Sequence, residues 1–260
     1  MSNSTDWNPG LYLKFKDERT QPSIDLVNKI KIDYTPVNIV DIGCGPGSSS
    51  QILTEKWPSA HLVGVDSSPN MIEKANKDFP QNEWFLADAF EFNYPKKFDI
   101  VFSNATIQWI ANHKLLMYKF HDMLSARGVL AIQIPLFWDM AIGKSIAKIA
   151  LEDHWKHKLE DVENLFTIHD HHYYYDILSG LFSRIEIWKS SYIHVMESYK
   201  SILEMIRSTG LKPYLERLKS KEEKSLLEEK VLESIKDEYI IQKDGKVLFP
   251  FKRLFFTAYK

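Results

Sequence analysis

The residues best suited to chemistry stand in one short stretch and at three strand ends. Val40-Asp-Ile-Gly-Cys-Gly-Pro-Gly-Ser-Ser49 sets Gly43, Gly45 and Gly47 directly behind an apolar run. Backbone this open can approach a pyrophosphate, can approach a nucleoside without phosphate, or can simply turn. A dinucleotide fingerprint spaces its glycines Gly-x-Gly-x-x-Gly and rests the pyrophosphate on the following helix. Here the third glycine comes one residue early, behind Pro46, a poorer match to that cradle. No Gly-Lys-Ser or Gly-Lys-Thr follows these glycines, which excludes a P-loop at this turn.

Carboxylates narrow the choice. Asp66 closes the second apolar run, where it can accept both hydroxyls of a ribose. Asp88 follows the third run and can accept from an adenine amino group, with Ala89 offering a backbone donor. Asp41 ends the first run and can orient the glycine turn or, through water, meet an ammonium group. Three carboxylates around one cleft oppose a polyphosphate and suit a neutral or cationic ligand. S-adenosylmethionine has a sulfonium, an ammonium, a ribose diol and no phosphate. Cys44, flanked by glycines, reads as a small packed residue rather than a nucleophile.

The elements that must position these groups follow from apolar periodicity. Ile24, Val27 and Ile30 predict a helix behind Pro22. Strands are predicted at 37–42, 61–66, 84–87, 98–104 and 129–134, separated by helices at 49–57, 70–78 and 114–125. This alternation implies an α/β fold with a mostly parallel sheet covered by helices on both faces. The rhythm breaks over 137–171 and again over 196–241, two insertions expected to cap the carboxyl edge of the sheet within one domain spanning 1–260. A helix at 174–178, a strand at 184–189 and terminal strand segments at 247–249 and 254–258 complete the pattern. The Glu- and Lys-rich run 219–238 reads as a solvated helix face with pairs at i,i+4.

Composition excludes several classes. A net charge of −2 with histidine neutral gives no reason to expect nucleic acid. No run reaches the ~18 apolar residues of a membrane span, and the opening MSNSTDWNPG lacks the basic and apolar regions of a secretory signal. One cysteine suits a reducing compartment. A cytoplasmic protein is therefore expected.

Taken together, Asp41 to Gly47, Asp66, Asp88 with Ala89, and Asn104 resemble the Rossmann-like class I S-adenosylmethionine-dependent methyltransferases. Further stretches are similar to the trans-aconitate methyltransferase family over essentially the whole chain. They are Trp7-Asn-Pro9 with Tyr12, Phe15, Glu18 and Arg19; Asn104-Ala-Thr-Ile-Gln-Trp109; Tyr174-Tyr-Asp-Ile-Leu178; Thr209-Gly-Leu-Lys-Pro213; and Phe249-Pro-Phe-Lys-Arg253-Leu-Phe255. The resemblance implies a seven-stranded sheet and methylation of a small polycarboxylic acid, with S-adenosylmethionine as cofactor. It also implies cofactor roles for Tyr12, Arg19, Asp41, Gly43, Gly45, Asp66, Ser67, Met71, Asp88, Ala89, Asn104, Ala105 and Trp109.

A carboxylate acceptor is already ionised at pH 7, so no general base is required. The enzyme has to hold the oxygen in line and exclude water. Holding a polyacid calls for donors, best supplied by the planar fork of arginine. Of the six arginines, Arg19 and Arg253 fall in the motifs above and Arg207 lies in the second insertion just before Thr209-Gly210. Gln108, Trp109, Trp138 and Tyr175 are the remaining candidates for the acceptor pocket, and His113 is a weak candidate base. His169, His171 and His172 lack the framed spacing of a zinc site, so no metal is expected.

Overall fold

The computed structural model describes residues 16–159, 161–162 and 166–260, with side chains from Thr20 onward. Seven strands form one sheet in the order β3-β2-β1-β4-β5-β7-β6. They are β1 (Asn38–Ile42), β2 (His61–Asp66), β3 (Glu83–Leu86), β4 (Phe98–Asn104), β5 (Leu124–Pro135), β6 (Arg184–Met196) and β7 (Val247–Tyr259). Neighbours from β3 to β5 pair in parallel, with Asp41 level with Gly64 and with Phe102. The backbone bonds Leu136 N to Lys252 O and Lys260 N to Gly128 O share one register sum, so β7 runs antiparallel to β5.

Strands β1, β2, β4 and β5 are nearly continuous apolar runs because helices bury both of their faces. The strand order reverses between β1 and β4, and open α/β sheets bind ligands outside the carboxyl ends at such a point. Ser103 Oγ ties these two strands where they end, donating to Ile42 O at 2.8 Å.

Helices α1 (Lys16–Lys29), α2 (Ser48–Lys56), α3 (Pro69–Asp78) and α4 (His113–Met123) alternate with the first strands. The first helix begins earlier than its apolar spacing predicts and takes Pro22 inside it. Helix α3 starts as its residues dictate: Ser68 Oγ caps Met71 N at 3.3 Å and Pro69 occupies the first turn.

The chain divides into two compact units. The larger holds the described residues as far as Ile134, with Thr167–Lys189 and Leu254–Lys260. It includes α7 (His171–Leu178), which starts three residues before the predicted helix. The smaller takes Pro135–Phe166 and Ser190–Arg253, so the first insertion reaches this unit only as far as Phe166. It also takes the outer parts of β6 and β7, which run far past their expected lengths to 13 residues each.

Within the smaller unit, α5 (Ala141–Ala150), α6 (Asp153–Leu159), α8 (Tyr199–Arg207), α9 (Lys212–Arg217) and α10 (Lys221–Ser234) pack on one another. Ile142 N donates to Tyr239 Oη at 3.2 Å, joining the two insertions. Gly210 is glycine for space, because a Cβ there would lie 2.4 Å from the Phe137 ring. Helix α10 opens with the capping box Ser220–Glu223 and buries Leu227 and Val231. Its charges do more than solvate a face: Glu223 pairs with Lys158, Lys230 with Glu152 and Glu228 with Arg207.

Candidate functional site

The turn after β1 is built by its glycines. Gly43, Gly45 and Gly47 all adopt positive φ, at 72°, 55° and 90°, a region that costs any residue with a Cβ. At Gly43 space forbids a side chain as well, since a Cβ would sit 2.0 Å from Thr106. Gly43 N and Cys44 N both donate to Val65 O, at 2.7 and 3.0 Å, and fold the turn over the end of β2. Asp66 completes the frame, accepting from Gly45 N and Ser68 N at 2.9 Å each. A carboxylate has about four acceptor positions, so two backbone bonds fix its plane and leave capacity for a diol.

Asp41 is fully buried beneath the start of α2. Its Oδ2 accepts from Ser49 Oγ at 2.6 Å and Ser50 Oγ at 2.7 Å. Burial pushes the carboxyl up to about 6, the two serine hydroxyls pull it back, and the Asp66 charge adds to the rise. At pH 7 an anion therefore already sits at this helix N-terminus, where a pyrophosphate would otherwise rest. Cys44 is buried, with its thiol pushed well up by burial, as suits a packed side chain.

The turn after β4 carries the second half of the site. Ala105 adopts φ 54°, a strained position for a residue with a Cβ. Three contacts hold it: Ala105 N donates to Gln133 O at 3.0 Å, Gln108 Nε2 donates to Ala105 O at 2.7 Å, and Thr106 Oγ1 donates to Gly43 O at 3.1 Å. Below it, His113 is fully buried. Its Nε2 lies 2.7 Å from Ile107 O and its Nδ1 2.6 Å from Tyr174 Oη. A carbonyl can only accept, so Nε2 carries the proton and Nδ1 accepts from the tyrosine. Burial holds the imidazole down to about 4. His113 is thus a neutral brace for the Ile107–Trp109 turn, with both nitrogens engaged, and offers no free base.

Three acceptor atoms at these strand ends are buried without a hydrogen-bond partner among the described residues: Asp41 Oδ1, Asn104 Oδ1 and Gln108 Oε1. Each requires a donor. A phosphate supplies none, whereas an ammonium or a hydroxyl does.

Other predicted residues fall as follows. Asp88 is exposed and accepts from Phe90 N at 2.7 Å, while Ala89 and Met71 are buried and Ser67 is exposed. Trp109 is half-buried behind the 105–108 turn. Tyr12 and the side chain of Arg19 lie outside the described residues. The smaller unit holds Trp138, Arg207 and Arg253. Trp138 packs edge-on against Phe137 and Phe166. Arg207 is exposed and its fork grips Glu228, with Nε to Oε1 at 2.6 Å and a second bond from Nη2 to Oε2. Arg253 is 3% exposed. Tyr175, expected as a pocket wall, is 55% exposed; its neighbour Tyr174 turns inward instead. His169 stacks on Tyr173 and His171 lies against His172; among the described residues no three His, Cys, Asp or Glu side chains group as a metal site. No described helix is long and apolar enough to cross a membrane.

Sequence reasoning missed Ser49 and Ser50 as partners of Asp41, Thr106 as the clasp on Gly43, and Tyr174 as the partner of His113. The triple serine at 48–50 directly after the glycines was the available signal for the first.

Comparison with known proteins places this geometry. A methyltransferase-domain family model matches residues 39–128, the stretch from β1 into β5. The trans-aconitate 2-methyltransferase of Rhodopseudomonas palustris (strain BisB18) is 38% identical over 256 residues, 98% of this chain and 99% of its own. The chain belongs to the trans-aconitate methyltransferase family. The family's protein of that name from Enterobacter sp. (strain 638) is 36% identical over 97% of this chain and 98% of its own. In fold, the chain is similar to Haemonchus contortus phosphoethanolamine N-methyltransferase 2, solved in complex with S-adenosyl-L-methionine. That match has a TM-score of 0.57 and 18% identity, covering 92% of this chain and 52% of the other. Membership of the trans-aconitate methyltransferase family makes the chain a class I S-adenosylmethionine-dependent methyltransferase by descent and architecture.

Proposed function

We infer that the protein transfers a methyl group from S-adenosylmethionine to a carboxylate of a small polycarboxylic acid, with trans-aconitate the first candidate. The observation that carries the cofactor half is the set of buried acceptors at the ends of β1 and β4, Asp41 Oδ1, Asn104 Oδ1 and Gln108 Oε1, beside an anion at the α2 terminus. Such a surface favours a donor-rich cation and disfavours a pyrophosphate. The relatives' activity supports the acceptor half.

In this reading Asp66, held flat by Gly45 N and Ser68 N, takes the ribose diol, and Asp88 with Ala89 takes the adenine edge. Asp41, Gly43 and Gly45 line the methionyl end, and Asn104, Ala105 and Trp109 stand near the sulfonium. When bound, S-adenosylmethionine supplies an electrophilic methyl on a cationic sulfur. The chain's own task is to orient an already ionised carboxylate and keep water from it, which needs no proton transfer. The engagement of both His113 nitrogens accords with that.

The test is a methyl-transfer screen of mono-, di- and tricarboxylates, with the ester position read by mass spectrometry and NMR, alongside calorimetry with S-adenosylhomocysteine and NADH. Esterification of a polyacid together with homocysteine-nucleoside binding is expected. Binding of NADH alone would overturn the cofactor assignment, and methylation confined to monocarboxylates or amines would overturn the acceptor.

A further inference from the structure

Thr106 directly precedes the short helical turn Ile107–Trp109, where a threonine hydroxyl favours accepting from an N–H of the first turn. Here it caps none of the described N–H groups. The backbone O of Thr106 accepts from Trp109 N at 3.0 Å, while the side chain turns back toward the end of β1. There Oγ1 lies 3.1 Å from Gly43 O and 3.2 Å from Asn104 O. A hydroxyl carries one hydrogen, so a single donor is shared between two carbonyls that belong to different turns.

The join is close on its apolar side as well: a Cβ at Gly43 would lie 2.0 Å from Thr106 Cγ2 and 2.2 Å from Oγ1. The peptide linking Gly43 to Cys44 is held through its N–H by Val65 O, at 3.0 Å, and through its carbonyl by Thr106. On the other side Ala105 keeps its strained φ of 54° between Asn104 and Thr106, with its N donating to Gln133 O. Take the hydroxyl away, and two carbonyl oxygens that converge on one point lose the donor between them. The strained turn after β4 then has less to hold it against the glycine turn.

We propose that Thr106 is a positioning residue for methyl transfer: its hydroxyl and Cγ2 fix the separation of the turn after β1 from the turn after β4. The assignment rests on the function proposed above, in which Gly43 lines the methionyl end of the cofactor and Asn104 and Ala105 stand near the sulfonium. Asp66 and Asp88, which take the ribose and the adenine edge in that reading, are held by Gly45 N, Ser68 N and Phe90 N and not by Thr106. Loosening the join therefore leaves most of the cofactor's anchorage in place and misdirects its reactive end. Transfer depends more steeply on the alignment of the reacting atoms than binding does.

The experiment compares wild type with Thr106→Val, which keeps the branched shape and removes the donor, and Thr106→Ser, which keeps the donor. Kinetics use a tricarboxylate, calorimetry measures S-adenosylhomocysteine binding, and amide hydrogen exchange is followed in the unliganded protein. For Thr106→Val kcat should fall about 30-fold, with the acceptor KM and the S-adenosylhomocysteine Kd each within about three-fold. Thr106→Ser should hold kcat within about three-fold of wild type. In the unliganded valine variant the amides of Gly43, Cys44 and Ala105 should exchange about ten-fold faster, while those of Val40 and Val101, paired inside β1 and β4, keep their protection. Should the valine variant not fold, Thr106→Cys, with a weak S–H donor in the same place, carries the comparison with the same expected split. A valine variant with kcat within about two-fold of wild type, a serine variant as slow as the valine one, or faster exchange spread evenly over the sheet would overturn the assignment while leaving the methyltransferase reading intact. Wild type that neither binds S-adenosylhomocysteine nor methylates any carboxylic acid would defeat that reading and this assignment with it.

Discussion

The strand-end site of the larger unit and the charged helices of the smaller one use polar residues in opposite ways. Around β1, β2 and β4 nearly every polar side chain is tied to backbone or to another buried group. Asp66 holds Gly45 and Ser68, Asp41 holds Ser49 and Ser50, Gln108 holds Ala105, and His113 holds Ile107 and Tyr174. In the smaller unit the prominent charges form exposed ion pairs, such as Arg207 with Glu228 and Lys246 with Glu197. The first arrangement fixes geometry at low dielectric; the second is screened and weakly coupled. The exposed ion pairs of the smaller unit should then contribute little to stability or to recognition.

Removing Asp66 is the strongest way to break this contrast. Asp66→Ala deletes the carboxylate proposed to take the ribose and releases both Gly45 N and Ser68 N, so S-adenosylhomocysteine should bind about 100-fold more weakly, the loss of one or two charge-assisted bonds. Asp66→Asn should retain part of the affinity because it keeps one acceptor oxygen. Calorimetry on both decides it, and a Kd for the alanine variant within two-fold of wild type, about the smallest resolvable change in this frame, would move the cofactor away from β2.

The brace at His113 tests whether the rigidity is structural. His113→Phe keeps the ring volume but orphans Ile107 O and Tyr174 Oη, which should cost about 2–3 kcal/mol of stability in denaturant unfolding. The imidazole is neutral in the folded state down to about 4, below its ordinary 6.5. Its stabilisation is therefore complete above pH 6.5 and is lost as pH falls from there toward 4, because only the unfolded chain takes up the proton in that interval. The phenylalanine variant should lose less stability across this window than wild type, and parallel pH profiles would show that His113 does not titrate there.

How far the sequence was legible follows the same division. The glycine turn, Asp66 and the β4 turn are local patterns, each written within a few residues of a strand end, and the structure puts them where those patterns place them. Two features depended on phase that no local pattern carries. Three consecutive tyrosines, 173–175, follow the two histidines that open α7, and only its docking decides that Tyr174 points inward and Tyr175 outward. The last strand was expected over 247–249 and 254–258, yet β7 runs unbroken through Pro250 from Val247 to Tyr259. A proline is tolerated in a strand where its missing N–H is not needed by the ladder. Only with that continuity does alternation turn Arg253 inward and make it unlike Arg207, although both arginines stood equal in the sequence.

Asp41 sharpens the contrast from the side of charge. Its carboxyl, raised to about 6, makes a contribution to stability that is complete below about 3.8 and is lost as pH rises through 6, where the buried group ionises. A cationic ligand has the opposite preference and favours the ionised form. Affinity for S-adenosylmethionine should thus climb about five-fold between pH 5 and 7 in wild type, while Asp41→Asn stays nearly flat. Over the same interval the unliganded wild type should lose stability relative to that variant. Calorimetric titrations and melting curves at stepped pH read both, and a pH-independent wild-type affinity would separate Asp41 from the ligand.

The smallest expected effect is at Arg207, where the spacing of basic residues alone would have Arg207→Lys raise the polyacid KM. The structure gives this guanidinium another occupation: Nε and the Nη2 edge bind the two oxygens of Glu228, the pair is exposed on the arginine side, and Glu228 raises the arginine's own pKa. A fork already filled by a carboxylate has to be emptied before it can take a second one, and water screens what either pairing would gain. Arg207→Ala should therefore cost about 0.5 kcal/mol of stability, diminishing further in high salt. It should also leave the acceptor KM within about two-fold. A large rise in KM for Arg207→Ala, with a Glu228→Gln variant that lowers KM by freeing the fork, would mean that the ion pair opens to admit the acid and that surface charge does carry recognition in this unit.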